Sequence, residues 1–100
     1  MYWVVSIIPS EALDRLTEKF SQVGVVRFTV AEVEMVNPQS VVSAGNQALR
    51  VEVALNEEFL PPALKVLEQL RSAGFDVTTH VGQLSDAMRT RTGEMGPEAI

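Results

Sequence analysis

The chain has 100 residues, 46% of them hydrophobic, with 13 acidic and 8 basic side chains and a formal charge of −5. That length holds one modest core, so a single domain over residues 1–100 is expected, and the acidic balance argues against nonspecific nucleic-acid binding. The absence of cysteine excludes disulfide frameworks, thiolate metal sites and cysteine nucleophiles, and a lone His80 argues against histidine-rich metal centres. No apolar run approaches the roughly 18–20 residues that span a bilayer, so no membrane insertion is expected. Residues 1–5 lack the basic start of a secretory leader, which makes the cytoplasm the expected compartment.

Residues 2–8 are rich in β-branched and aromatic side chains and are predicted to form a strand. Pro9 and Ser10 end it, and Ser10 is the expected N-cap of a helix whose first turn carries Glu11 and Asp14. Leu13, Leu16, Phe20 and Val23 recur at spacings of three and four, marking one buried stripe, and Gly24 closes that helix. Residues 25–36 switch to period two, with Val26, Phe28, Val30, Val33 and Met35 apolar. The alternation slips near Ala31 and Glu32, which predicts a bulge in a long strand. Residues 49–55 alternate cleanly, placing Arg50 and Glu52 on one face. Pro61 and Pro62 fit only a first helical turn, so a second helix is expected to begin near Phe59 or Leu60. Leu64, Leu67 and Leu70 form its expected stripe, residues 72–74 end it, and residues 75–81 read as a last strand.

The order β-α-β-β-α-β with right-handed crossovers implies an α+β, ferredoxin-like βαββαβ sandwich. His80 reads as a surface or strand-end residue, and Trp3 and Phe20 as core or subunit-contact residues. Met35 and Met88 read as packing residues, and the charges of the first helix as a solvated face. An acylphosphatase-like enzyme would need an arginine in the loop after the first strand, where Pro9 and Ser10 stand instead. No motif places a carboxylate pair or a buried nucleophile, so an enzyme is not expected.

Two segments exceed what the fold requires. The connection 37–47 is about eleven residues long, where a hairpin needs two to five. It reads either as a loop that orders on binding a ligand or partner, or as an extended hairpin. The tail 85–100 carries Arg89 and Arg91 two apart, which on an extended segment places both guanidinium groups on one side. Thr92 and Gly93 add a hydroxyl and an open backbone amide. This set suits phosphate oxygens, and it equally describes a solvated basic turn pairing with Asp86 and Glu94.

The tail string DAMRTRTGE at 86–94 and the ending EAI at 98–100 resemble the C-terminal signature of the PII signal-transduction superfamily. Similar to that family as well are Ile7, Ile8 and Pro9 at the first strand end, and Val23 and Gly24 ahead of the TVAEV string at 29–33. Gln39 stands where the family has a glutamine at the base of its long T-loop. The resemblance implies a homotrimer that binds adenine nucleotide in its intersubunit clefts. Ile7, Phe28 and Thr29 would line the base pocket, with Gln39 at the loop base. Arg89, Arg91, Thr92 and Gly93 would hold phosphates, and the loop would signal occupancy to a target protein.

Departures from the family pattern sharpen these expectations. The T-loop has about half the usual length and no tyrosine, so uridylylation is not expected. Ala48 falls near the place of the lysine that serves 2-oxoglutarate in classical members. The glycine- and lysine-rich B-loop is reduced to residues 73–76, ending in Asp76. Two arginines without a B-loop lysine predict ADP or AMP binding as well as or better than ATP. A branch with this shortened pattern is linked to inorganic carbon and carboxysomes, which makes bicarbonate a co-ligand to test. The alternatives are an oligomeric adaptor without a working nucleotide site and a weak nucleotide hydrolase.

Overall fold

Val4, Ser6 and Ile8 are buried while Trp3, Val5 and Ile7 are not, and that alternation gives strand β1 (Tyr2–Pro9) two distinct faces. The computed structural model describes residues 1–34, 48–89 and 93–100. β1 is followed by a short 3-10 turn, Ser10–Ala12, and helix α1 (Leu13–Gln22). Strands β2 (Thr29–Val33) and β3 (Ala48–Leu55) come next, then a 3-10 turn, Glu57–Phe59, and helix α2 (Leu60–Ser72). Strand β4 (Thr78–Gln83) completes a four-stranded antiparallel sheet in the order β2-β3-β1-β4. This is the ferredoxin-like βαββαβ arrangement. Beyond it, β5 (Met88–Arg89) pairs with β6 (Glu94–Met95), and a 3-10 turn, Gly96–Ala99, ends the chain.

The helices cover one sheet face. Leu16 and Phe20 from α1 meet Ala63, Val66, Leu67 and Leu70 from α2 over Val4, Ile8, Leu49, Val51, Val53 and Leu55. Burying each of these larger side chains stabilises the fold by about 1.5–3 kcal/mol before entropy is counted. Ser6 is the one buried polar side chain among the described residues, and its hydroxyl shares a 2.9 Å hydrogen bond with Thr79. No helix among the described residues is long and apolar enough to cross a membrane.

Both helices end in the same way. Val25 N–H donates to the Phe20 carbonyl at 2.8 Å and Gly24 N–H to Ser21 at 3.2 Å. Phe75 N–H donates to Leu70 at 3.2 Å and Gly74 N–H to Arg71 at 3.0 Å. These are Schellman closures, which need a left-handed residue, and Gly24 and Gly74 adopt φ of 86° and 102°.

These closures correct several expected boundaries. Residues 25–28 are not strand, because Val25 is used to close α1 and enters the core; β2 begins only at Thr29. β2 pairs with β3 residue for residue from Thr29–Glu52 to Val33–Ala48, so it has no bulge. For the same reason β4 starts at Thr78 rather than Phe75, which closes α2. Ser10 makes no capping bond, since the 3-10 turn intervenes and α1 begins at Leu13. The stripe of α2 includes Ala63 and Val66, and Leu64 is only partly buried at its margin. Phe20 is core and His80 is exposed, whereas Trp3 stands exposed on the uncovered sheet face. Met88 is 58% exposed and packs into no core of its own chain; Met35 lies outside the described residues.

Candidate functional site

The sheet face away from the helices carries the expected base-pocket residues. Register alone sorts them. Thr29 is opposite Glu52, which is opposite Val5, which is opposite His80. One rung along, Ala31, Arg50, Ile7 and Thr78 follow across the same four strands. Cross-strand partners share a face, so Ile7 and Thr29 come to the same side of the sheet. Between them Arg50 Nε approaches Glu52 Oε1 at 2.5 Å. The sequence placed Arg50 and Glu52 on one face; only the register shows that this pair lies between Ile7 and Thr29.

Phe28 goes elsewhere. Its ring meets Phe20 edge-on, with centroids 5.5 Å apart at 81°, and it packs against the helix-side core. Within one chain it therefore faces away from Ile7 and Thr29. Gln39, Arg91 and Thr92 lie outside the described residues.

The tail is built and anchored. Leu84 N–H donates to the Met1 carbonyl at 3.0 Å, which ties its start to the head of β1. The Asp86 carboxylate accepts the Ala87 N–H at 2.8 Å and the Gly96 N–H at 3.1 Å, while Gly96 N–H also reaches the Ala87 carbonyl at 2.7 Å. Asn56 Nδ2 donates to the Pro97 carbonyl at 2.9 Å. Arg89 is in register with Glu94, so the chain reverses between them, and Gly93 at φ 78° supplies a left-handed residue. The described part of the tail is thus an antiparallel pair, β5 with β6, and the expected alignment of Arg89 with Arg91 lies outside the described residues. Asp86 and Asn56 carry no sequence signal as tail anchors, because the Gly96 amide and the Pro97 carbonyl that they reach lie 10 and 41 positions away.

The reduced loop after α2 also gains a cation. The Arg15 guanidinium of α1 lies 5.5 Å from the centroid of the Phe75 ring. Between α2 and β4 is an open groove of about 410 Å³, lined by Leu64, Leu67, Glu68, Arg71, Val77 and Thr79. At its rim Arg71 donates from Nε and Nη2 to the two Glu68 oxygens at 3.0 and 2.6 Å. That paired bond holds the Glu68 carboxyl below the usual carboxylate range and raises Arg71. No group of three or more potential metal-ligating side chains occurs among the described residues.

No protein-family model matches the chain. A curated relative does, over the whole chain: it is 29% identical to the nitrogen regulatory protein GlnK1 of Methanosarcina mazei, covering 97% of that protein. The order of elements, the sheet topology and the full-length likeness agree. The chain is similar to a PII protein along its whole length.

For a PII-like chain, the described geometry separates the expected site into two parts. Ile7 and Thr29 stand on the open sheet face, and Arg89 and Gly93 stand on the anchored tail hairpin. The alignment runs over 115 positions against 100 residues here, so parts of the archaeal relative have no counterpart in this chain.

Proposed function

We propose that this PII-like protein is a cytoplasmic regulator that binds adenine nucleotide and reports its presence to a target protein. The observation that carries this reading is the likeness to a nitrogen regulatory protein along the entire chain. In this reading the protein is a homotrimer, with nucleotide in the clefts between copies. Ile7 and Thr29 contribute the base side, and Phe28 contributes through the wall behind them. Arg89, Arg91, Thr92 and Gly93 hold the phosphates, and Gln39 belongs to the loop 37–47 that signals. ADP and AMP bind as well as or better than ATP, because residues 73–76 offer no lysine to a third phosphate. Bicarbonate is the co-ligand, and the target belongs to inorganic-carbon metabolism.

A signalling loop needs a ligand that favours one of its states, since equal affinity for both shifts nothing. The protein is read as a sensor and not as an enzyme; a site-less adaptor and a weak hydrolase are the competing readings. Calorimetric titration of AMP, ADP and ATP, with and without bicarbonate, tests it. ADP binding to the parent is expected, with Arg89→Ala weakened about tenfold or more by loss of a charge-assisted bond. Absence of binding by all three nucleotides supports the adaptor instead, and steady turnover of nucleotide supports the hydrolase.

A further inference from the structure

Asn56 is bonded against its local preference. It follows β3 directly and opens the 3-10 turn that leads into α2, with an extended backbone at φ −72° and ψ 159°. An asparagine in that place and conformation ordinarily caps, its side-chain oxygen accepting an amide of the first turn. Here it makes no capping bond. Its Nδ2 instead donates to the Pro97 carbonyl at 2.9 Å, 41 positions along the chain. Its Oδ1 is the one buried side-chain polar atom left without a hydrogen-bond partner among the described residues. Turning the amide end for end would set oxygen against oxygen at Pro97, so the donor has to face the tail. The same Pro97 carbonyl accepts the Ile100 N–H at 3.3 Å and so closes the last turn. Asn56 therefore grips the tail one residue past the Gly96 amide that Asp86 holds.

We infer that Asn56 is a latch with two alternative partners: the Pro97 carbonyl of the tail, and the amides that open the turn before α2. The backbone already has the conformation of a cap, so only rotation of the side chain separates the two arrangements. Latched, Asn56 gains the Pro97 bond and leaves its own oxygen buried and unpaired, a loss comparable to that of a hydrogen bond. Released, the oxygen is satisfied by the turn, and the tail keeps its Asp86 bonds but loses its tie to the end of β3. Each arrangement satisfies one half of the same amide, so the two lie close in free energy, as a bistable element requires. The link to a ligand rests on the proposed function, in which the tail carries Arg89. Nucleotide that needs the anchored tail then favours the latched state. Asn56 is a positioning residue for that site and acts through the tail.

Residue-resolved hydrogen exchange on the intact protein at neutral pH tests the latch. Asn56→Asp keeps a capping oxygen but has nothing to donate to Pro97. It is expected to speed exchange at Gly96 and Ile100 about tenfold, the loss of roughly one hydrogen bond. The same variant is expected to slow exchange at Glu58 and Phe59 about threefold, because the side chain now caps. Asn56→Ala can neither grip nor cap, and is expected to speed the tail amides without slowing Glu58 and Phe59. An Asn56→Asp protein that speeds both sets of amides, or leaves the tail amides unchanged, overturns the latch. Added ADP is expected to slow Ile100 exchange in the parent and to bind Asn56→Asp about tenfold more weakly. Equal ADP affinity of parent and variant overturns the link between latch and site while leaving the latch standing. A parent that shows the opposite exchange responses yet binds no ADP overturns the nucleotide reading alone.

Discussion

The hydroxyls of Ser6 and Thr79 lie 2.9 Å apart, joining the central strand β1 to the edge strand β4 beneath the helices. Ser6 is almost wholly buried, so its hydroxyl relies on Thr79, which is only partly buried and also faces the open groove. Ser6→Ala is expected to cost about 1 kcal/mol in urea denaturation, the loss of one hydrogen bond, whereas Thr79→Val leaves the buried Ser6 hydroxyl unpaired and should cost more. Adding Ser6→Ala to Thr79→Val should recover part of the latter's loss, since no buried hydroxyl is then left unpaired. A double variant that loses the sum of the two single changes would remove the coupling.

Gly24 and Gly74 close the two helices with similar backbone angles, yet their surroundings differ. A Cβ at Gly24 would lie 3.0 Å from Phe59 Cε1, whereas one at Gly74 meets nothing within 4 Å. Both alanine variants bear the left-handed strain, about 1–3 kcal/mol. Gly24→Ala should be the more damaging of the two, by thermal or chemical denaturation.

Glu68 should titrate below an ordinary glutamate, because its paired bond to Arg71 favours the carboxylate. The sign for stability follows directly. The contribution is present above the unfolded carboxyl's value and disappears as pH falls through the lowered folded one. Carbon-detected NMR of the side-chain carboxyl measures this, and Arg71→Ala should return Glu68 toward its usual range. Exposure of both side chains makes the effect on global stability small.

Asp86 holds the tail hairpin through the Ala87 and Gly96 amides. Asp86→Ala should speed hydrogen exchange at Gly96 by about tenfold, the loss of roughly one charge-assisted bond. Asp86→Asn keeps a side-chain oxygen and should lie between parent and alanine. Under the proposed function the same alanine variant weakens ADP, since the hairpin that carries Arg89 loses its anchor.

The parts of this fold that were legible beforehand are those set by local chemistry. Alternation in residues 49–55 gave β3 to within one residue, and the prolines at 61 and 62 put the start of α2 near Phe59 or Leu60, where it begins at Leu60. The Leu16–Phe20 stripe marked the buried side of α1 because helical spacing depends on near neighbours alone. Strand starts after the helices were misplaced by several residues. Val25 and Phe75 look like strand residues in sequence, but each completes a helix closure and turns inward.

By itself, then, the sequence determined the order of elements, the buried stripe of α1, the alternation of β3, and a tail that resembles the PII signature. Only the tertiary structure decided that Ile7 and Thr29 share the open face while Phe28 turns to Phe20. It alone joined Asp86 to Gly96, Asn56 to Pro97 and Arg15 to Phe75. Periodicity reports which way a side chain points from its own element. Strand register, hairpin reversal and helix packing decide which distant groups it meets there.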